Sequence, residues 1–459
     1  MKSRELAEWG LATMEIPPSV CQAALRHLLD GFGAALGAQR TRAAEPAIEV
    51  ARGLGGPAEA TILGSDTKVS SPAAALANGT LVHALDFDDT HAGGLVHATA
   101  VVLPAAFAVG QQVGATGRQV LEAAIVGYET ACRVAAAAPN GFHARGLHAT
   151  MVAGVFSSAL IAARLARLTP GQAANALGIA GSQAGGLLAF LSTGASTKQL
   201  HPGFASQSGI LAARLAAAGA TGPETVFDGP HGVYEALADG FFDPGVITAG
   251  LGESWETERI GIKPYPACQL LHATIDALLD AKAQVCFAPD DVDFVTAQVH
   301  PDSAVVVCDS SRDLTRPASS YAAKFSLPWS AAALIADGHL GLDTFGAASI
   351  ARPEVAALAS RIRWELMPAP CAAADARGVV RVILRDGRQI LGTVERSAGG
   401  PDKPLSREAL LAKFAGNAGT GAPELVRLIE ALEDQPEIDG VLAAAARASA
   451  EANKEVEDS

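Results

Sequence analysis

Apolar residues recur at helical spacing along most of the chain. Near the start, one face of a predicted helix is apolar at Val20, Ala24, Leu28, Phe32 and Leu36. From about residue 71 to 240 one helical pattern follows another, with predicted helices near 72–85, 98–113, 117–137, 149–166, 170–182 and 205–219. The segments 119–138 and 148–165 are apolar on most faces, so we expect them at the centre of a helical bundle.

After Trp255 the helical spacing gives way to alternating apolar and polar residues, a pattern typical of β-strands. Predicted strands lie in ERIGIKPY, in DVDFVTAQVH and at 360–366, and GVVRVILRDGRQILGTVE predicts a hairpin that turns at Asp386-Gly387. Helices are predicted at 268–283 and 324–337, and again at 406–416, 423–432 and 437–450. We therefore predict a mainly α fold, in which a discontinuous all-helical domain (1–263 and 402–459) carries an inserted α+β domain (264–401). A cleft between the two is the expected ligand site.

Composition narrows the possible partners. Hydrophobic residues make up 49% of the 459 residues and charged residues only 18%, which favours a large buried core. A net charge of −14 argues against nucleic acid and anionic membrane as partners. The start MKSRELAEWG lacks a secretory apolar stretch, and the six cysteines form no CxxC pair. We expect a cytoplasmic protein with reduced thiols.

The densest polar cluster is DFDDTHAGGLVH, which contains Asp86, Thr90 and His97. Buried carboxylates and imidazoles can act as general acids and bases when burial moves their pKa values toward neutrality. Two alternatives stay open at this point. The group could bind a metal, although no HExxH or similar spacing supports it, or Asp88 and Asp89 could cap a helix beside a solvated His91.

Three further segments carry candidate residues, each with a structural alternative. NGFHARGLHAT places His143 and Arg145 in a loop before an apolar helix, where Arg145 could bind a carboxylate. STGASTKQLHPGFASQSG places Lys198 in a predicted loop. There the lysine could bind a substrate carboxylate by its charge, or it could be solvated. In GIKPYPACQLLH, Lys263 ends a predicted strand. The same segment places Cys268 and His272 one helical turn apart. A cysteine and a histidine at that spacing more often face the core and have a structural role.

Taken together and in order, these segments resemble the MmgE/PrpD family. The matching segments are NGTLVHALDFDDTH, GFHARGLHAT, STKQLHPGFASQSG, IKPYPACQLLHATIDA, AKFSLPWSAA and GGPDKPLSREALLAKF. The family includes 2-methylcitrate dehydratases, cis-aconitate decarboxylases and iminodisuccinate epimerases. The resemblance implies a helical domain with a smaller α+β lid, a homodimer, a small di- or tricarboxylate substrate, and chemistry without a metal or other cofactor.

The resemblance also implies a set of site residues. Asp86, His97 and His143 would be catalytic. The substrate would be held by Thr90, Arg145, Lys198, Lys263, Cys268, His272 and Trp329. Asp88, Asp89 and His91 would then have structural roles.

The sequence departs from the cis-aconitate decarboxylases at one informative position. Those enzymes carry a tyrosine where FSLPW places Trp329, so a phenol donor is missing here. Arg145 and a spacing one residue longer between Thr90 and His97 are further departures. We therefore expect a hydro-lyase similar to 2-methylcitrate dehydratase. The main alternative is an epimerase of an iminodicarboxylate, a decarboxylase is less favoured, and a non-catalytic acid-binding relative is least favoured.

Overall fold

The computed structural model describes residues 1–12, 15–368, 370–419 and 422–457. It is 58% helical, which confirms the predicted mainly α fold. The α-helices in chain order are α1 (Lys2–Leu11), α2 (Pro18–Arg40), α3 (Glu45–Leu54), α4 (Ser71–His83), α5 (Thr99–Val113), α6 (Gly117–Ala136), α7 (Gly141–Ala144), α8 (Ala149–Leu165), α9 (Pro170–Gly181), α10 (Phe190–Thr193), α11 (Thr197–Ala217), α12 (Val233–Leu237), α13 (His272–Gln284), α14 (Pro301–Val307), α15 (Ser320–Ala323), α16 (Leu327–Asp337), α17 (Ala347–Ile350), α18 (Pro353–Ala359), α19 (Arg407–Ala418), α20 (Pro423–Glu430) and α21 (Asp439–Glu457).

The strands are short and few beside these helices. They are β1 (Ala60–Thr61), β2 (Lys68–Val69), β3 (Thr90–His91), β4 (Ile260–Gly261), β5 (Val292–Val299), β6 (Ile362–Leu366), β7 (Gly378–Leu384) and β8 (Gln389–Val394). The chain divides into a larger unit (1–188, 197–260 and 406–459) and a smaller unit (189–196 and 261–405). Whether the smaller unit acts as a lid stays a prediction.

The larger unit is a helical bundle built on close backbone contacts. Helix α8 is buried along nearly its whole length and packs against α6 and α11, and α4 packs against α5 and α11. Glycines allow the approach of α8 to α11, because a Cβ at Gly154 would lie 3.0 Å from Ala205 Cβ, and one at Gly209 would lie 2.6 Å from Ala159 N. The end of α4 and the first turns of α8 and α11 are thereby fixed relative to one another.

The smaller unit contains a four-stranded sheet in the order β6-β5-β7-β8. Strands β5 and β6 run parallel, and the remaining pairs are antiparallel. The predicted hairpin is present as β7 and β8, with Gly387 at φ 88° in its turn. Helix α13 covers these two strands, and Gly378 and Gly392 leave room for its backbone at Ala273 and Ala277.

Three predicted elements differ from the structure. Only Ile260–Gly261 of ERIGIKPY is a strand, because Pro264 and Pro266 cannot donate ladder hydrogen bonds. The predicted helix 324–337 begins only at Leu327, since the Ser326 hydroxyl accepts a hydrogen bond from Trp329 N and caps the start of the helix there. Helix α11 begins at Thr197 rather than near 205, so Lys198 lies on a helix and not in a loop. Pro202 removes one hydrogen bond, and the helix continues through it.

Within the described ranges, none of the helices combines the length and apolarity that crossing a membrane requires.

Candidate active site

The polar cluster predicted from the sequence lies at the carboxyl end of α4, inside the larger unit. Every residue of α4 is buried, and His83 is its last residue. The chain then turns sharply at Asp86, whose φ of 51° is in the left-handed region that aspartate tolerates better than most residues. Asp86, Asp88 and Asp89 are completely buried. The turn thus brings three carboxyl groups into the bundle.

A buried ion pair joins this turn to α11. Lys198 Nζ donates a hydrogen bond to Asp86 Oδ1 at 2.9 Å, and both side chains are buried. Gln199, the next residue of α11, donates to the carbonyl of Ala84. Lys198 is therefore a positioned cation, which excludes the alternative of a solvated lysine.

The loop after the turn holds His97 through several contacts. Its Nδ1 lies 2.8 Å from the carbonyl oxygen of Asp89 and 3.2 Å from Thr90 Oγ1, and its backbone N–H donates to Thr150 Oγ1. The predicted residues Thr90 and His97 are therefore adjacent. Asp88 accepts a hydrogen bond from His83 Nδ1 at 2.7 Å.

His148 occupies the centre of a group of imidazoles. It stands at the N-cap of α8, and its backbone N–H donates to the carbonyl of Gly186. Its ring centroid lies 5.7 Å from that of His83, 5.8 Å from that of His97, 5.3 Å from that of His201 and 6.1 Å from that of His143. We call His83, His97, His143, His148 and His201 the imidazole cluster.

Burial keeps several of these rings neutral. Desolvation, with the nearby charge of Lys198, lowers the pKa of His143 to about 4 and that of His148 well below its ordinary value. Desolvation, then the charges of His83 and Lys198, lowers the pKa of His201 to about 4. Neutral imidazoles near a fixed cation can accept protons at pH 7.

Asp89 lies in a separate buried network behind the cluster. Its carboxyl group accepts hydrogen bonds from the backbone N–H and the hydroxyl of Thr99, and it lies 3.6 Å from His27 Nδ1. Desolvation raises the pKa of Asp89 to about 7. The expectation that His91 could be solvated is wrong: the ring is buried and pairs with Glu256 at 2.9 Å. Both residues hold the scaffold in place.

Two predicted residues of the GFHARG segment differ in their surroundings. His143 is partly exposed, but its Nδ1 atom is enclosed. Arg145, directly after α7, is exposed. The structure therefore brings Asp86, Thr90, His97, Lys198 and His143 together and leaves Arg145 on the surface of the larger unit.

The remaining predicted residues belong to the smaller unit. Lys263, Cys268, His272 and Trp329 are all buried there. His272 starts α13, and its Nε2 lies 3.1 Å from the carbonyl oxygen of Ala267. Trp329 packs against Phe345, with ring centroids 5.6 Å apart.

Sequence reasoning missed a second buried lysine in the smaller unit. Lys324 Nζ donates to the carbonyl of Pro266 at 2.7 Å and lies 4.7 Å from the centroid of the Phe345 ring. Its backbone carbonyl accepts from Cys268 N. The available signal was a lysine among apolar residues in AKFSLPW. A lysine in such surroundings is buried only when a polar partner accepts hydrogen bonds from its ammonium group.

Four further residues of the larger unit lie at the site but are not among the predicted site residues. They are His83, Asp88, His148 and His201. A histidine that ends a mostly apolar helix, as His83 does, was one usable signal, and a histidine directly before such a helix, as His148 is, was another. Their proximity arises from the packing of α4, α8 and α11, which sequence spacing does not show.

The same packing creates groups that could ligate a metal. Among the described residues, His83, His97 and His148 offer ligand atoms that all lie within 4.8 Å of one another, as do those of His83, Asp86, Asp88 and His97. Such groups form through the packing of separate segments, so a sequence motif does not reveal them.

Buried acids, imidazoles and a lysine on a helical scaffold define a class of protein suited to proton transfer on an anionic ligand. The chain belongs to the MmgE/PrpD family. The MmgE/PrpD N-terminal domain matches residues 4–243, and the MmgE/PrpD C-terminal domain matches residues 265–435.

Several curated relatives align over most of the chain. The cis-aconitate decarboxylase of Aspergillus terreus is 28% identical over 452 residues, which cover 92% of this chain and 90% of that protein. The cis-aconitate decarboxylase of Homo sapiens is 28% identical over 447 residues, covering 93% and 90%. The cis-aconitate decarboxylase-like protein oryM of Aspergillus oryzae is 29% identical over 360 residues, covering 74% of each chain.

Proposed function

We propose that this protein is a lyase that adds or removes a proton at the carbon next to a carboxylate of a small di- or tricarboxylate. The observation that carries the proposal is the buried Lys198–Asp86 ion pair, which lies within electrostatic reach of three imidazoles with lowered pKa values. A cation beside the substrate carboxylate stabilises the negative charge that develops when the neighbouring carbon loses its proton. The neutral imidazoles supply the base.

Each residue then has a role. Lys198 binds the substrate carboxylate, with Asp86 setting the position of its ammonium group. His97 and His148 are the leading acid and base, and His143 is an alternative partner. Thr90, hydrogen-bonded to His97, orients that ring or a substrate oxygen. In the smaller unit Lys263, Cys268 and His272 are proposed to contact the substrate.

The leading reaction is a dehydration of the 2-methylcitrate dehydratase type. In that reaction the base removes the proton and the acid protonates the departing β-hydroxyl group. The indole at Trp329 favours dehydration over decarboxylation, because the family resemblance assigns it to the position where the decarboxylases have a phenol; it is fully buried against Phe345 and leaves an epimerase open.

Decarboxylation is the second candidate. It is favoured by the relatives, which are named cis-aconitate decarboxylases and align over about nine-tenths of this chain. In that reaction the electrons of the broken C–C bond shift the double bond as CO₂ departs, and the same acid would protonate the carbon next to a remaining carboxylate. The residues of the larger unit serve both reactions, so the product distinguishes them.

Product identification tests the proposal. The full-length protein would be incubated in D₂O with citrate-like, 2-methylcitrate-like, malate-like, cis-aconitate and iminodisuccinate-like acids and followed by NMR. Loss of water to form an alkene identifies a dehydratase, and release of CO₂ identifies a decarboxylase. Deuterium gain with an intact skeleton and inverted configuration would replace the lyase by an epimerase. No reaction with any of the acids would contradict the proposal.

A further inference from the structure

We propose that His83, His97 and His148 form a binding site for one divalent transition-metal ion of the zinc class. The three residues come from the end of α4, the loop before α5 and the N-cap of α8, and their ligand atoms lie within 4.8 Å of one another. All three side chains are buried. Zinc–nitrogen bonds are about 2.0–2.1 Å long, so shifts of under about 1 Å per ring would bring three nitrogens onto one ion.

The outer contacts of the rings match those of metal-binding histidines. Such histidines usually hydrogen-bond through one nitrogen to a carboxylate, carbonyl or water and bind the metal through the other. His83 Nδ1 donates to the Asp88 carboxylate at 2.7 Å, and His97 Nδ1 faces the carbonyl oxygen of Asp89 at 2.8 Å. These acceptors place the proton of each ring on Nδ1, which leaves the Nε2 lone pair as the ligand. His148 Nδ1 is likewise engaged, by His201 at 3.1 Å.

Two of the Nε2 atoms are buried without a hydrogen-bond partner among the described residues. They belong to His83 and His148, whose side chains are 0% and 2% exposed. A buried acceptor without a partner costs about 1–3 kcal/mol, and native structures contain few of them. A metal ion between the rings would satisfy both atoms at once.

The ligand chemistry selects the kind of ion. Imidazole nitrogens suit Zn²⁺, Co²⁺, Ni²⁺ and Cu²⁺, whereas Mg²⁺ and Ca²⁺ require oxygen ligands. Three protein ligands leave a fourth position for water or for a carboxylate from solution. The carboxylate of Asp88, held at His83, helps to balance the added positive charge.

Metal binding would have a consequence for turnover. An ion on His97 and His148 occupies the lone pairs that the proposed acid–base chemistry needs, so Zn²⁺ is expected to act as a reversible inhibitor. This consequence rests on the proposed function, whereas the binding itself does not. A protein that binds the metal but lacks the proposed activity would refute the proposed function and leave the site intact.

A cobalt titration tests the site. The full-length protein, prepared without a histidine tag, would be titrated with Co²⁺ and followed by visible absorption. One equivalent should produce the intense bands of four-coordinate cobalt, which Zn²⁺ abolishes and Mg²⁺ does not. His83→Ala and His148→Ala should each weaken binding by at least about 100-fold, and Asp88→Asn by about 10–100-fold through the orientation of His83.

His339→Ala is the matched control. His339 is an exposed imidazole of the smaller unit that also lies near a carboxylate, that of Asp343 at 3.3 Å, and its replacement should leave Co²⁺ affinity unchanged. Equal affinity in the wild type and in His148→Ala would overturn the proposal, as would the absence of binding.

Should the alanine variants fail to fold, X-ray absorption of the zinc-loaded wild type decides the question. The expected first shell contains three imidazole nitrogens, and a shell with fewer than three would overturn the site.

Discussion

At the scale of single residues, the Lys198–Asp86 pair is central to the proposed binding of a carboxylate. Lys198 Nζ and Asp86 Oδ1 lie 2.9 Å apart inside the bundle. Removal of one member of a buried ion pair leaves an uncompensated charge and typically costs about 3–5 kcal/mol. The pair therefore contributes to folding as well as to the proposed binding of a carboxylate.

Replacement of Lys198 by methionine separates the two contributions. We expect Lys198→Met to lower turnover by about 10²–10³-fold, because the substrate carboxylate loses its cation. We also expect it to lower the free energy of unfolding by about 3–5 kcal/mol, because the buried ion pair between Lys198 and Asp86 is lost. The double variant Lys198→Met/Asp86→Asn should recover stability without recovering turnover, as measured by urea denaturation and product formation. Wild-type turnover in Lys198→Met would remove Lys198 from the site.

Site residues that are close together along the chain were predicted from the sequence, whereas those that meet only through tertiary packing were missed. Asp86, Thr90 and His97 stand in one short polar segment, so their proximity follows from the sequence. His148 was visible in its own segment but not selected, because its position beside His83 and His97 is produced by tertiary packing. The catalytic and binding roles of all these residues remain proposals.

At the scale of elements, the crossing of α4 and α11 sets the distance between Asp86 and Lys198. The helices touch at Gly79 and Gly203, where a Cβ at Gly79 would lie 2.7 Å from Gly203 N. Helical periodicity predicted α4 well, but the Pro202-Gly203 pair in the middle of α11 concealed its first two turns. Because proline and glycine usually interrupt helices, the predicted start of α11 lay too far along the chain and excluded Lys198.

Gly203→Ala tests this crossing. A Cβ at Gly203 would meet the carbonyl oxygen of Leu76 and lie 2.7 Å from Thr80 Oγ1, so α11 must move. We expect a loss of about 1–3 kcal/mol in stability, together with a large fall in turnover as Lys198 shifts from Asp86.

Gly416→Ala is the control for this variant. Gly416 lies inside α19, and no described atom outside that helix lies within 4 Å of a Cβ built there. Stability should be unchanged or raised by about 0.5–1 kcal/mol. Equal effects of the two substitutions on thermal unfolding would contradict the role given to the crossing.

At the scale of the whole molecule, buried titratable groups predict loss of stability in acid. Burial lowers the pKa values of His27, His143 and His201 from 6.5 to about 4. The unfolded chain therefore binds more protons than the folded one between about pH 6.5 and 4, and stability falls as pH decreases through that window. Asp89 acts oppositely, because burial raises its pKa from 3.8 to about 7. Since three histidines oppose one aspartate, the net effect is a loss.

Urea denaturation from pH 7.5 to 4.5 measures this dependence. The unfolding midpoint should fall steadily below about pH 6.5. His27→Gln should flatten that fall by removing one histidine that contributes to it. A midpoint that stays constant or rises toward pH 5 would show that these rings are not buried in their neutral form.

The larger organisation was only partly predictable. The hairpin β7–β8 and the bundle helices followed from periodicity, because each is specified by local patterns. The lid role of the smaller unit, the homodimer and the cytoplasmic location stay predictions that rest on family resemblance and composition.

Deuterium incorporation is the most direct test of the central claim, which is proton transfer by the imidazole cluster at a carbon next to a carboxylate. The preferred acid would be incubated in D₂O with the wild type, His97→Gln, His148→Gln and the surface control His339→Gln. Reversal of the reaction at equilibrium returns solvent deuterium to that carbon of the recovered acid, so we expect incorporation with the wild type and the control, and a loss of about 10²–10⁴-fold in each cluster variant. Undiminished incorporation in both cluster variants would contradict the account.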